Sequence, residues 1–147
     1  MRILLTGSSR GIGRAIAERL AKPGNALALC ASRPSPELDA VAEACRARGA
    51  SVTALAGDLA DAATPGRLVA EAVAALGGLD GVVSNAGIAV PGALADYPQE
   101  TWDRVFSVNV RSAWLLAAAA RPHLAAAESG AFVAVASMSG IEPYPGV

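Results

Sequence analysis

Histidine is almost missing from this chain, which has only His123, and cysteine is little commoner, with Cys30 and Cys45. A zinc site built from clustered Cys and His therefore lacks its ligands, and no metal site is expected. Cys30 falls in a strand-like run and Cys45 on a helical stripe, positions that suit buried, reduced thiols better than a bridge. Long apolar runs are lacking too: none approaches the roughly 18 to 20 residues that span a bilayer. Met1-Arg2-Ile3-Leu4-Leu5 leads straight into a glycine turn and reads as neither signal peptide nor anchor. A block of basic residues is also missing, and a net charge of −1 argues against a nucleic-acid surface, where clustered Lys and Arg must displace counterions. These absences leave a cytoplasmic chain whose partner is a small molecule. At 147 residues, 53% of them hydrophobic, it can bury one core, as one domain or part of one.

What is present begins with a phosphate-binding signature. The apolar run Arg2 to Thr6 enters Gly7-Ser8-Ser9-Arg10-Gly11-Ile12-Gly13, and helical periodicity follows from Ile12 to Leu20. Glycines let the backbone turn sharply and approach a pyrophosphate, and the N–H groups opening the next helix attract the anion. The pattern is T-G-x-x-x-G-x-G, distinct from G-x-G-x-x-G, which would need Gly or Ala where Ile16 stands.

Short apolar runs then alternate with helical patterns. Strands are expected near 2–6, 26–31, 51–56, 80–84 and 131–136. Leu38, Val41, Ala42 and Cys45 fall on one helical face, with Ser35-Pro36 as cap and first turn and Gly49 as stop. Thr64-Pro65 opens the next helix, Leu68, Val69, Ala72 and Leu76 line its inner face, and Gly77-Gly78 ends it. A long helix is expected from about Pro98 to Ala127, with Pro122 ending or kinking it. Such alternation implies an α/β, doubly wound parallel sheet with right-handed crossovers. Ligands then sit beyond the carboxyl ends of the strands, where this chain places Thr6 to Arg10, Ser32-Arg33, Gly57-Asp58-Leu59, Ser84 to Gly87, and Ser137-Met138-Ser139.

Taken in order, the glycine turn, Asp58-Leu59, Asn85-Ala86-Gly87, Asn109 and Ser137 resemble the classical short-chain dehydrogenases/reductases over essentially the whole chain. The resemblance implies a Rossmann-like sheet of order 3-2-1-4-5, lacking the family's last two strands. It implies that Gly7, Ser8, Ser9, Arg10, Gly11, Ile12 and Gly13 form the pyrophosphate turn. Asp58 and Leu59 would flank the adenine, and Asn85, Ala86 and Gly87 would line the cofactor cleft. Ser137 would bind the substrate oxygen, Gly140 selecting it over Ser139, and Asn109 would hold a water in a proton relay. Pattern alone leaves Asn109 equally open as a helix-kinking core amide on the stripe Trp102, Val105, Phe106, Ala113 and Leu116. The activity implied is interconversion of a small carbonyl and a secondary alcohol.

Cofactor choice follows from charge. NAD is usually held by an Asp or Glu about 20 residues past the glycine turn, whereas an Arg accommodates the extra phosphate of NADP. Here Ser32-Arg33 stands at that distance, no carboxylate precedes Glu37, and Arg10 offers a second guanidinium, so NADP(H) is favoured over NAD(H). The alternative leaves both arginines as solvated surface residues.

The family's Tyr-x-x-x-Lys pair is not found; its spacing puts the tyrosine at position 150, and Tyr144 comes too soon after Ser137. The chain reads as the amino-terminal part of a reductase, expected to bind better than it catalyses and to associate through an unfinished sheet edge. Two other classes compete. A noncatalytic NADP-binding or interaction module is one, with homo-oligomer packing through Val110, Trp114, Ala117, Ala118 and Arg121 on the long helix. A serine hydrolase is the other, since Gly7-Ser8-Ser9-Arg10-Gly11 satisfies G-x-S-x-G.

Overall fold

Alternation within the strands decides the two-sidedness of this molecule. The computed structural model describes residues 1–142, so Tyr144 lies outside the described residues. Strands β1 (Arg2–Thr6), β2 (Ala26–Ala31), β3 (Ser51–Ala56), β4 (Gly81–Ser84) and β5 (Ala131–Ala134) form one parallel sheet in the order β3-β2-β1-β4-β5. Ile3, Leu5, Leu27 and Leu29 point to one face, against Ala17 of α1 (Gly11–Leu20) and Leu38, Val41, Ala42 and Cys45 of α2 (Pro36–Ala47). Leu4, Ala28 and Val82 point to the other, against Val69 and Ala72 of α3 (Thr64–Leu76) and Leu116 and Ala120 of α5 (Ser112–Ala126). Each fully buried leucine among them contributes about 1.5–3 kcal/mol relative to exposure. Because β1 lies between β2 and β4, the chain order reverses beside it, and a crevice opens at the carboxyl ends of β1 and β4.

Local signals set the helix ends. Ser35 caps α2, its Oγ accepting the Leu38 N–H at 3.3 Å with Pro36 in the first turn, and α3 closes on Gly77 at φ 72°. The long helical stretch differs from expectation. It runs as α4 (Gln99–Phe106), a π-helical turn at Ser107–Arg111, and then α5, which passes through Pro122 and ends at Ala126. Pro122 removes one ladder bond close to the helix end, and the face carrying Leu116 and Ala120 is already anchored, so the helix continues. The break lies earlier, where the buried Ser112 hydroxyl donates to the Val108 carbonyl at 2.6 Å.

The stripe on α4 is likewise no core face: Trp102 and Phe106 stack with centroids 4.4 Å apart yet remain 52% and 45% exposed. Strand β5 reads in sequence as a buried central strand, but among the described residues it is an edge. Phe132 packs toward the α5 layer while Val133, on the other face, stays 51% exposed, because no described helix covers that side.

At the opposite end of the sheet, the Arg2 guanidinium meets Asp80 at 2.6 Å and the Arg2 N–H donates to the same carboxylate at 2.7 Å, tying the start of β1 to the start of β4. The Arg2 side chain holds the Asp80 carboxyl below its ordinary value. A carboxylate depressed on folding adds stability above its unfolded pKa and loses it as pH falls through the folded one. Thermal melts of wild type and Asp80→Asn should therefore differ most above about pH 5, where the carboxylate is ionised in both states, and converge toward pH 3. A gap unchanged down to pH 3 would show that the pair does not act through this ionisation.

Candidate nucleotide cleft and active site

Two strand exits are pinned together by one buried hydroxyl. Thr6, fully buried at the end of β1, accepts the N–H groups of Asn85 and Ala86 on its Oγ1, both at 3.1 Å. Asn85 returns the contact, its Nδ2 donating to the carbonyls of Thr6 at 3.0 Å and Gly7 at 3.1 Å. The approach leaves no room for side chains: a Cβ on Gly7 (φ 66°) would lie 2.8 Å from the Ala86 Cα, and one on Gly13 would overlap the Gly7 carbonyl. Gly11, at φ 56°, faces open space but needs glycine for its left-handed backbone. Helix α1 has Arg10 as its N-cap residue, no side-chain cap and no acidic residue in its first turn, which leaves its first N–H groups for an anion. Backbone dominates this cradle, and it fits a pyrophosphate.

Two cavities open from the cradle. The narrower, about 360 Å³, is lined by Gly7, Ser9, Arg10, Ile12 and Gly13, by Ala31 and Ser32, by Asp58 and Leu59, and by Asn85 to Gly87. The larger, about 1300 Å³, shares Ile12 and residues 85–88 and continues past Val90, Leu94, Trp102 and Phe106 to Asn109, Ser137 and Ser139. Most of the expected residues thus meet on one edge. Ser8 does not line the cleft: it is fully buried, and its hydroxyl donates to the Cys30 carbonyl at 3.0 Å, holding the turn to β2 from beneath. Arg33 does not line either cavity and is exposed beyond the end of β2. Its charge is felt nearby, since Glu37 is held below its ordinary value first by its own backbone N–H, then by Ser35, with Arg33 and Arg10 adding to the effect.

Asn109 sits in the π-helical turn on the cavity wall, so it is not a core amide. Its Oδ1 accepts the Ile88 N–H at 2.9 Å and its Nδ2 donates to the Ile88 carbonyl at 2.8 Å, so the amide clips the loop after β4 at one residue through both of that residue's backbone groups. Ser137 opens a short 3₁₀ turn, donating to the Ser139 hydroxyl and accepting the Ser139 N–H, both at 3.2 Å. Asp58 accepts the Ala60 N–H at 2.9 Å and the Arg104 guanidinium at 2.9 Å, and these contacts, in that order, hold its carboxyl below its usual range. Cys30, behind the turn, is pushed up to about 12 by burial and is no nucleophile. Among the described residues no three His, Cys, Asp or Glu come together as a metal cluster. The serine-hydrolase geometry fails: Ser9 lies at the carboxyl edge of the sheet, whereas His123 is in the last turn of α5, which runs back to the amino edge where β5 starts.

Sequence reasoning missed Arg104 and Val108, which line the narrower cavity, and the Trp102/Phe106 wall of the larger one. Trp102 and Phe106 stand seven and three residues before Asn109 on its stripe, which was the available signal for the wall; Arg104 and Val108, five and one residues before it, carry no such spacing.

Sheet order, crevice and glycine cradle define a Rossmann-like domain. The family model for short chain dehydrogenase matches residues 1–147, and the chain belongs to that family. It is 38% identical over 143 residues to the Bos taurus dehydrogenase/reductase SDR family member 4, covering 97% of this chain and 51% of that protein. A Burkholderia cenocepacia short chain dehydrogenase solved in complex with NADP superposes with a TM-score of 0.92 at 37% identity, covering 99% of this chain and 59% of the other. An NADH-dependent reductase, A1-R', complexed with NAD gives 0.91 at 30% identity, covering 99% and 63%. The chain spans about half the length of the curated relatives it matches. No described helix is long and apolar enough to cross a membrane.

The cradle geometry predicts that Gly13→Ala lowers stability by about 1–3 kcal/mol through overpacking against rigid backbone. Gly11→Ala, with open space around it, costs only the left-handed strain of about 1–2 kcal/mol. Urea unfolding of both variants checks this, and equal midpoints for Gly13→Ala and wild type would refute the packing assignment.

Proposed function

We propose that this chain carries the nicotinamide dinucleotide site of an oxidoreductase that interconverts a small carbonyl and a secondary alcohol. The observation that carries the reading is the latched glycine cradle opening into a second, largely apolar cavity with Ser137 at its far side. The cradle would hold the pyrophosphate at the start of α1, with the adenine toward Asp58 and Leu59 and the nicotinamide near Ile12 and residues 85–88. A reduced nicotinamide held there would be the source of hydride for a carbonyl carbon. Ser137 donates a hydrogen bond to the substrate oxygen, and Asn109, by clipping Ile88, keeps the loop between the cavities in place. Val110 and Trp114, exposed on the helical stretch, form the apolar surface through which we read a cytoplasmic homo-oligomer.

Preference for NADP(H) rests on Arg33 and Arg10 at the ribose end. Fluorescence titration should show tighter binding of NADPH than of NADH. Arg33→Asp should weaken NADPH roughly 10- to 100-fold, the value of a lost charged hydrogen bond, while sparing NADH. An unaltered preference would remove Arg33 from the phosphate site, and no binding of either dinucleotide would overturn the reading.

The serines separate by kinetics. In a preparation that reduces a carbonyl, Ser137→Ala should lower kcat by about 100- to 1000-fold, as for loss of an oxyanion donor, with little change in NADPH affinity. A larger loss from Ser139→Ala would reverse the assignment.

A further inference from the structure

Arg104 is tied to the cleft by an interaction that stability does not explain. It lies on α4, 46 residues from Asp58, and its Nη2 meets the Asp58 Oδ2 at 2.9 Å while both side chains line the narrower cavity. The two side chains are 54% and 45% exposed, and ion pairs so open to solvent are worth about 0–1 kcal/mol. What the pair does have is direction. The other carboxylate oxygen, Oδ1, accepts the Ala60 N–H at 2.9 Å, so one bond from its own loop and one from a different element fix the carboxylate plane at the rim. Arg111, seven residues further on, donates to the Ala60 carbonyl and holds the same loop. Each carboxylate oxygen keeps a lone pair beyond these bonds, and a carboxylate with a fixed plane selects donors by position.

Given the reading of this cleft as a nucleotide site, we infer that Arg104 is a positioning residue for base recognition: it orients the Asp58 carboxylate toward the exocyclic amino group of an adenine. A carboxylate accepts from an amine and repels a carbonyl oxygen, so the arrangement discriminates adenine from hypoxanthine, which carries a carbonyl at that place. Without Arg104 the side chain keeps its charge and its bond to Ala60 but loses the second restraint on its plane.

Calorimetric titration of the whole chain with 5′-AMP, 5′-IMP, 2′,5′-ADP and nicotinamide mononucleotide tests this, with melting curves confirming that each variant is folded. Wild type should bind 5′-AMP about tenfold more tightly than 5′-IMP, the value of one hydrogen bond. Arg104→Gln should weaken 5′-AMP by about five- to tenfold, leave 5′-IMP and nicotinamide mononucleotide unchanged, and so collapse the discrimination. Arg104→Lys, which keeps a donor for Asp58, should restore most of it. Equal losses for AMP and IMP, a loss for nicotinamide mononucleotide, a loss confined to 2′,5′-ADP, or no loss at all would each overturn the inference while leaving the nucleotide site standing. Failure of unaltered protein to bind any of the four would overturn the site and the inference together.

Discussion

The Thr6 hydroxyl is the contact on which the cleft depends. It is buried, it accepts two backbone N–H groups from the strand on its other side, and it stands directly before the first glycine of the turn. Those N–H groups belong to residues leaving the sheet, where ladder partners run out, and a buried N–H without a partner costs about as much as the hydrogen bond it forgoes. Asn85 completes the pairing by donating to the two carbonyls around the turn. Two loops that would otherwise diverge at the reversal of strand order are held within backbone contact. That closeness is why Gly7 has no space for a side chain, and why the cavity walls are set before any ligand arrives.

A second constraint comes from the π-helical turn. Its wider winding changes the direction in which successive side chains leave the helix. Arg104 and Arg111 reach the loop after β3, whereas Asn109 reaches the loop after β4. One helical stretch therefore ties down both sides of the crevice.

Strand positions were legible because alternation in Ile3, Leu4 and Leu5 and the glycine, proline and serine punctuation around α2 and α3 are local properties of the chain. Convergence of the strand exits on one edge followed from topology alone. What was not legible depended on partners distant in sequence. Ser8 looks like any other member of the turn until the Cys30 carbonyl appears beneath it, and nothing local singles out Arg104 until Asp58 arrives from another element. The Trp102 stripe has the spacing of a core face, and spacing cannot tell a core from the wall of an open cavity. Pro122 obeys the local rule for a helix stop, but a single missing bond near a helix end is outweighed by the packing of the turns before it.

Charge at the rim beyond β2 is what would separate one dinucleotide from another. The fold is common to a structure solved with NADP and to one solved with NAD, so it does not select between them. Selection must come from the difference in affinity that a few side chains create for a 2′-phosphate over a 2′-hydroxyl. Arg10 reaches the cavity, Arg33 stands outside its walls, and both act on Glu37. A 2′-phosphate at this end would be attracted by the two guanidiniums but would also meet the field of that carboxylate. A hydroxyl gains less and is opposed less. Two cations and one anion, all exposed and screened by salt, would make any such preference fall as ionic strength rises.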